Sequence, residues 1–158
     1  MALPQYPIHN SQYFDCREWI DERTWKILGV RSQWIIDPKI IAIFDLLRKK
    51  AGAPVTVNNW HFAKPGESVY NSSGHRAVWD STGGVLSQHR AGRAGDAKVR
   101  GFTPSQVHNL ILANASEFEA AGLTTMESLE FTRSWSHLDC RPKINGVNPE
   151  NGFLIVKP

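Results

Sequence analysis

Apolar side chains at Ile40, Ile41, Phe44, Leu46 and Leu47 recur at helical spacing and give one broad face over residues about 38–51. The signals at both ends agree with a helix. Asp37 is a good N-cap and Pro38 suits the first helical position. Arg48, Lys49 and Lys50 fall in the last turn, where cations favour the helix dipole, and Gly52 is a natural stop. A second helix opens at Thr103-Pro104-Ser105-Gln106, a capping box with proline at its first turn. Val107, Leu110, Ile111 and Phe118 line one face of it, and Gly122 ends it. A shorter helix is predicted over Asp21 to Leu28.

Between and after the helices the pattern changes. Pro54-Val55-Thr56-Val57 reads as a short strand, rich in β-branched residues. From Phe62 to Gly84 the chain is dominated by Gly, Ser, Asn and Lys, and loops of this length are often functional. Two strands are expected over about 123–128 and 134–140, and a last one through Phe153-Leu154-Ile155-Val156. This order of elements predicts an α+β domain, with helices packed on a small antiparallel sheet.

The 158 residues suffice for one ordinary domain with a core of its own. A net charge of +3 is mild and lacks the dense basic face of a nucleic-acid binder, so no nucleic-acid partner is expected. Cys16 and Cys140, two cysteines with no C-x-x-C pair, read as buried free thiols. The stretch Met1 to Pro7 has neither a basic nor an apolar region of a leader peptide, and no apolar run reaches bilayer length. The expectation is synthesis in a cytoplasm without a signal peptide and no membrane insertion.

Two short patterns carry chemistry. His89-Arg90-Ala91-Gly92-Arg93-Ala94-Gly95-Asp96 is H-x-x-G-x-A-x-D, and Trp135-Ser136-His137-Leu138-Asp139 is W-x-H-x-D. Together they offer two imidazoles and a carboxylate, and three such ligands with an open fourth position make a catalytic zinc site. Gly92, Ala94 and Gly95 are expected to let the backbone fold tightly between the first two ligands. Trp135, His137 and Asp139 alternate along a strand and so share a face. Asp139 is then placed to orient a ligating imidazole, or to cap a backbone group, and Trp135 to wall a pocket. His9 and His108 belong to no motif, and Arg90 and Arg93 read as solvated charge.

These motifs resemble those of the zinc D-Ala-D-Ala carboxypeptidase and L-alanyl-D-glutamate endopeptidase family, peptidase family M15, in its phage-type members. The likeness extends over about residues 13–142 and includes Arg31 to Trp60 and Gly74-His75-Arg76, which is similar to a G-[FYH]-R segment upstream of the first ligand. The resemblance implies a hedgehog-like D-Ala-D-Ala peptidase fold. It also implies that residues 1–158 form a single zinc peptidase domain, with Zn2+ held by His89, Asp96 and His137. The activity implied is hydrolysis of an amide bond in peptidoglycan stem peptides, as an endolysin-like endopeptidase or a D,D-carboxypeptidase. The protein would act on the cell wall after release or as part of a virion, beside other virion proteins. A non-catalytic phage structural or wall-binding module that keeps the zinc-site fold is the alternative.

Members of the family also use a carboxylate beside the zinc-bound water, shortly before the last histidine. Three positions before His137 this chain has Ser134, which departs from some members. Glu127 is the favoured base, at the end of the preceding strand, and Glu130 is the alternative. In that scheme the glutamate relays the water's proton to the leaving amine. Arg76 is the candidate donor to the oxyanion, or a clamp on a substrate carboxylate. His75 is the candidate substrate contact in the long loop.

Overall fold

The computed structural model describes residues 8, 10–149 and 152–157; Met1 to Pro7 and His9 lie outside them. The predicted helix starts take hold through side-chain caps. Asp21 accepts from the backbone of Thr24 ahead of α1, Glu22–Leu28. Asp37 accepts from Lys39 N at the head of α2, Pro38–Ala51, which stops at Gly52 in the left-handed conformation. Thr103 and Gln106 close their capping box on α3, Pro104–Ala113. That helix does not run to Gly122 unbroken. Asn114 leaves helical geometry, its side chain bonds back to Leu110 O, and α4, Ala115–Ala121, follows in a new direction.

The described strands are β1, Val55–Thr56, β2, Ala94–Val99, β3, Thr125–Glu127, β4, Ser136–Asp139, and β5, Leu154–Val156. They form one sheet in the order β1-β2-β4-β3-β5. All neighbours are antiparallel except β3 and β5, which run parallel, so the sheet is mixed where a wholly antiparallel one was expected. The connection explains this. Asp139, at the end of β4, lies opposite Thr125, and Leu154 at the start of β5 lies beside the same Thr125. The chain therefore leaves and re-enters the sheet at one end.

The sheet has two chemically distinct faces. Gly95, Ala97, Val99, Met126 and Leu138 turn one way, into a core with Ile40, Ile41, Phe44 and Leu47 of α2, Val107 and Ile111 of α3, and Phe118 of α4. Trp19 and Phe44 meet edge to face at 4.9 Å between centroids, and Phe14 joins both. Burial of each such ring contributes about 2–3 kcal/mol. The opposite positions, Asp96, Lys98, Glu127, His137 and Asp139, share the second face by the period of two. It is this face that carries the candidate chemistry.

Residues 62–84 contain no strand or helix, as their composition predicts, yet they are tied down by two buried amides. Asn58 Oδ1 accepts from Ser73 N at 2.9 Å, and Asn58 N donates to Glu18 O at 2.9 Å. Asn59 accepts from Tyr70 N at 2.6 Å and donates to Ser68 O at 2.9 Å. Trp60 Nε1 donates to Ile20 O at 2.7 Å, so the Asn58-Asn59-Trp60 triplet stitches the loop to the first third of the chain. Cys16 and Cys140 are both buried free thiols, as expected, and burial pushes each up to about 12, which leaves them unreactive.

Candidate metal centre

Asp96 and His137 are direct cross-strand partners in the β2–β4 ladder, so the sheet itself brings two of the three expected ligands together. His89 arrives from the turn that leads into β2. Its carbonyl accepts from Arg76 N and Gly92 N, both at 3.2 Å. Gly92 adopts φ +67°, and a Cβ there would stand 1.8 Å from Ile35 O. Glycine is therefore required, and the turn is pinned further by Asp37 N donating to Gly92 O at 2.9 Å. Ala94 and Gly95 play a different part from the one expected. They are extended strand rather than tight turn, and Gly95 is small because Phe44 Cζ would lie 2.7 Å from a Cβ.

His89, Asp96 and His137 are buried and can together hold a metal ion. The separations are 3.1 Å from His89 Nε2 to His137 Nδ1, 3.0 Å from His137 Nδ1 to Asp96 Oδ1, and 3.3 Å from His89 Nε2 to Asp96 Oδ1. Tetrahedral ligation at about 2.0–2.1 Å asks for edges of about 3.3 Å, close to this triangle. The hydrogen bonds behind the imidazoles strengthen the fit. His89 Nδ1 lies 2.7 Å from Gly74 O, a pure acceptor, so Nδ1 carries the proton and Nε2 presents a lone pair. His137 Nε2 lies 3.3 Å from Asp139 Oδ2, which likewise leaves Nδ1 with a lone pair. Three acceptors then face one another with no hydrogen among them, an arrangement that calls for a shared cation.

A proton answers that need when no metal does. Burial pulls the His137 imidazole down, but hydrogen bonds and charge from Asp139 and Asp96 outweigh it and raise it to about 9. Burial draws His89 down despite its bond to Asp96. Burial alone would raise the Asp96 carboxyl, yet the two histidines hold it far below the usual carboxylate range. A metal ion held here would take the same place by displacing that proton.

The centre opens into a cleft of about 450 Å3 whose walls include Arg76, Leu86, Glu127, Phe131, Trp135 and Arg141. Glu127 ends β3 one residue beyond the Met126–Leu138 pair, half-buried beside the His137 strand. Burial raises its carboxyl, and the nearby Asp96 and Asp139 add to this against His137 and Arg76. Glu130 stands apart, exposed in the following turn, with Lys157 Nζ 3.8 Å away. Trp135 lines the cleft. Arg76 also lines it, but two of its nitrogens are committed, Nη2 to Asp96 Oδ2 at 3.0 Å and Nε to Ser72 O at 2.7 Å. His75 points elsewhere, into a separate cavity with Thr24, Trp79 and Arg90.

Sequence reasoning missed Arg141. Its Nε reaches both oxygens of Asp139, at 2.8 and 3.0 Å, and its own backbone N–H donates to Oδ1 at 3.1 Å. Burial raises Asp139, but His137 and Arg141 together hold it below its ordinary value. The signal was present as the continuation His137-x-Asp139-x-Arg141, one face of an extended chain. The chain matches no family model, no curated protein and no solved structure.

Proposed function

We propose that this chain is a zinc metallopeptidase of the hedgehog-like D-Ala-D-Ala peptidase fold that hydrolyses an amide bond in peptidoglycan peptides. The observation that carries the reading is the convergence of His89 Nε2, Asp96 Oδ1 and His137 Nδ1 within 3.3 Å of one another, in an open cleft that Glu127 also lines. Two imidazoles and one carboxylate suit zinc better than the oxygen-seeking magnesium or calcium. When bound, zinc supplies Lewis acidity, which polarises a carbonyl and acidifies water.

The chain's own residues supply the rest. Glu127 accepts the proton of the attacking water and returns it to the leaving amine, and its raised pKa suits both halves of that transfer. Arg76 holds the outer oxygen of Asp96 and adds positive charge to the wall where an oxyanion develops. Trp135, Phe131 and Leu86 give the cleft apolar surface for the methyl groups of a short peptide and exclude water around them. The protein acts on the wall after release from a cell or as part of a virion.

Incubation with bacterial peptidoglycan, with and without a zinc chelator, followed by mass spectrometry of new peptide ends, tests the proposal. New ends that vanish with chelator and return with zinc support it and name the bond. Zinc-loaded protein that yields no new ends on several wall types moves the reading to a structural or wall-binding module.

A further inference from the structure

Lys98 lies two residues beyond Asp96 on the same face of β2, at the floor of a second cleft of about 440 Å3. The walls of this cleft include Thr56, Phe62, Lys64, Glu67, Tyr70 and Arg100. It shares no lining residue with the metal cleft. Arg76, in the metal cleft, donates to Ser72 O, and Lys98 donates to the neighbouring Ser73 Oγ at 2.8 Å.

The charges in this cleft are unbalanced. Lys98 Nζ also reaches Asp96 O at 3.4 Å and stands 4.2 Å from the centre of the Tyr70 ring, so its contacts are neutral groups. Among the described residues, no carboxylate oxygen pairs with the side-chain nitrogens of Lys64, Lys98 or Arg100 within 4 Å. Glu67 is the one acid in the lining, and its Oε2 is turned to the backbone N–H of Lys64 at 2.9 Å. Three cations face one carboxylate. A half-buried ammonium among neutral partners is costly, and two further cations at the rim add to the cost. A dianionic oxyanion cancels the excess of two positive charges, which a single carboxylate leaves half uncancelled.

We propose that this second cleft binds a phosphate monoester group, with Lys98 beneath it and Lys64 and Arg100 at its sides. The Thr56 hydroxyl is a further donor in the lining, and the Tyr70 and Phe62 rings offer flat apolar walls to the sugar or ring that carries the phosphate. The site is independent of whether the metal centre cleaves peptides.

The test is a titration of the zinc-loaded, 15N-labelled chain with methyl phosphate, a simple monoester, followed by amide NMR at constant ionic strength. About pH 7 is suitable, because a second pKa of about 6 leaves the monoester mostly dianionic there, while Lys98, which burial lowers to about 8, keeps its charge. Saturable shifts gathered on residues 56, 64–70 and 98–100, with a Kd of about 1 mM or tighter, are expected. Lys98→Met and Arg100→Ala should each weaken binding by about tenfold. Arg100→Ala alters an exposed side chain and keeps the test valid if Lys98→Met fails to fold. Lys26→Ala, an exposed cation on α1, should change nothing. Shifts that centre on His89 and His137, or that spread over every surface cation without saturating, overturn the assignment. So does tighter binding of dimethyl phosphate, a monoanionic diester.

Discussion

Arg141 holds both oxygens of Asp139 from its Nε, at 2.8 and 3.0 Å, while Asp139 faces the outer nitrogen of His137 at 3.3 Å. The side chains form a chain of support that ends on a metal-facing imidazole. Asp139 is fully buried, so without the Arg141 guanidinium its charge would keep only His137 and the Arg141 backbone N–H as partners. Arg141→Ala should weaken zinc binding by about 10–100-fold, measured by competition with a chromophoric chelator. Arg141→Lys should recover only part of this, because an ammonium cannot match the forked contact. Wild-type affinity in both variants would show that the guanidinium only shields the carboxylate.

The two candidate glutamates separate cleanly. Glu127→Gln should lower turnover by about 10^2–10^4-fold while zinc content stays unchanged. Glu130→Gln, at an exposed position paired with Lys157, should stay within about twofold. Steady-state hydrolysis and metal analysis on the same preparations decide between them. Equal losses in both variants would sink the assignment of Glu127.

Gly92→Ala should damage the first ligand without touching it. The added methyl meets Ile35 O, and the positive φ is strained for alanine. A loss of about 1–3 kcal/mol in denaturant unfolding, together with weaker zinc binding, is expected. Gly101→Ala, with the same sign of φ but open space around it, should cost less and leave zinc affinity intact.

Glu18 gives the fold a pH dependence remote from the cleft. Burial raises its carboxyl to about 7, against hydrogen bonding to Asp15 N and the charge of Arg48. The folded state therefore holds this proton more tightly than the unfolded chain, whose glutamate titrates near 4.5. The extra stability is complete below about pH 4.5 and is lost as pH rises through about 7. The loss is of order 3 kcal/mol. Urea unfolding across that window should show it in the wild type, and Glu18→Gln should flatten the slope. A slope unchanged by the substitution would place the titration elsewhere.

Metal removal should loosen the fold as well as the site. A ligand that binds only the native chain at about a thousand times its Kd adds about 4 kcal/mol. Chelation should lower the melting temperature accordingly, and zinc should restore it. An unchanged melting temperature would mean that the three ligands are held in place without the ion.

Helix caps and the two ligand motifs were legible in the sequence because both are local. Asp37-Pro38 and Thr103-Pro104-Ser105-Gln106 start helices where they were expected to. The two ligand motifs were each visible as a local pattern, and the β2–β4 ladder brings them together. β2 was not legible. Ala-Gly-Asp-Ala-Lys-Val has little strand preference, and it is extended because β1 and β4 pair with it from distant parts of the chain. The same distance hid the parallel β3–β5 pair. Asn114 was hidden differently, since the apolar pattern of α3 continues through it while its side chain turns back on Leu110. His75 was read from its place in the long loop, but it lines a separate cavity, whereas its neighbour Arg76 bonds to Asp96.

The pairing of Asp96 opposite His137 has a consequence for how the chain assembles. A slip of one residue between β2 and β4 would set Gly95 or Ala97 against His137, and one of the two ligands would face the helices. Such a mispaired sheet can still bury apolar surface, but it cannot gather three donors around a cation. Metal capture would thus proofread strand alignment, and only correctly threaded molecules would be locked by it.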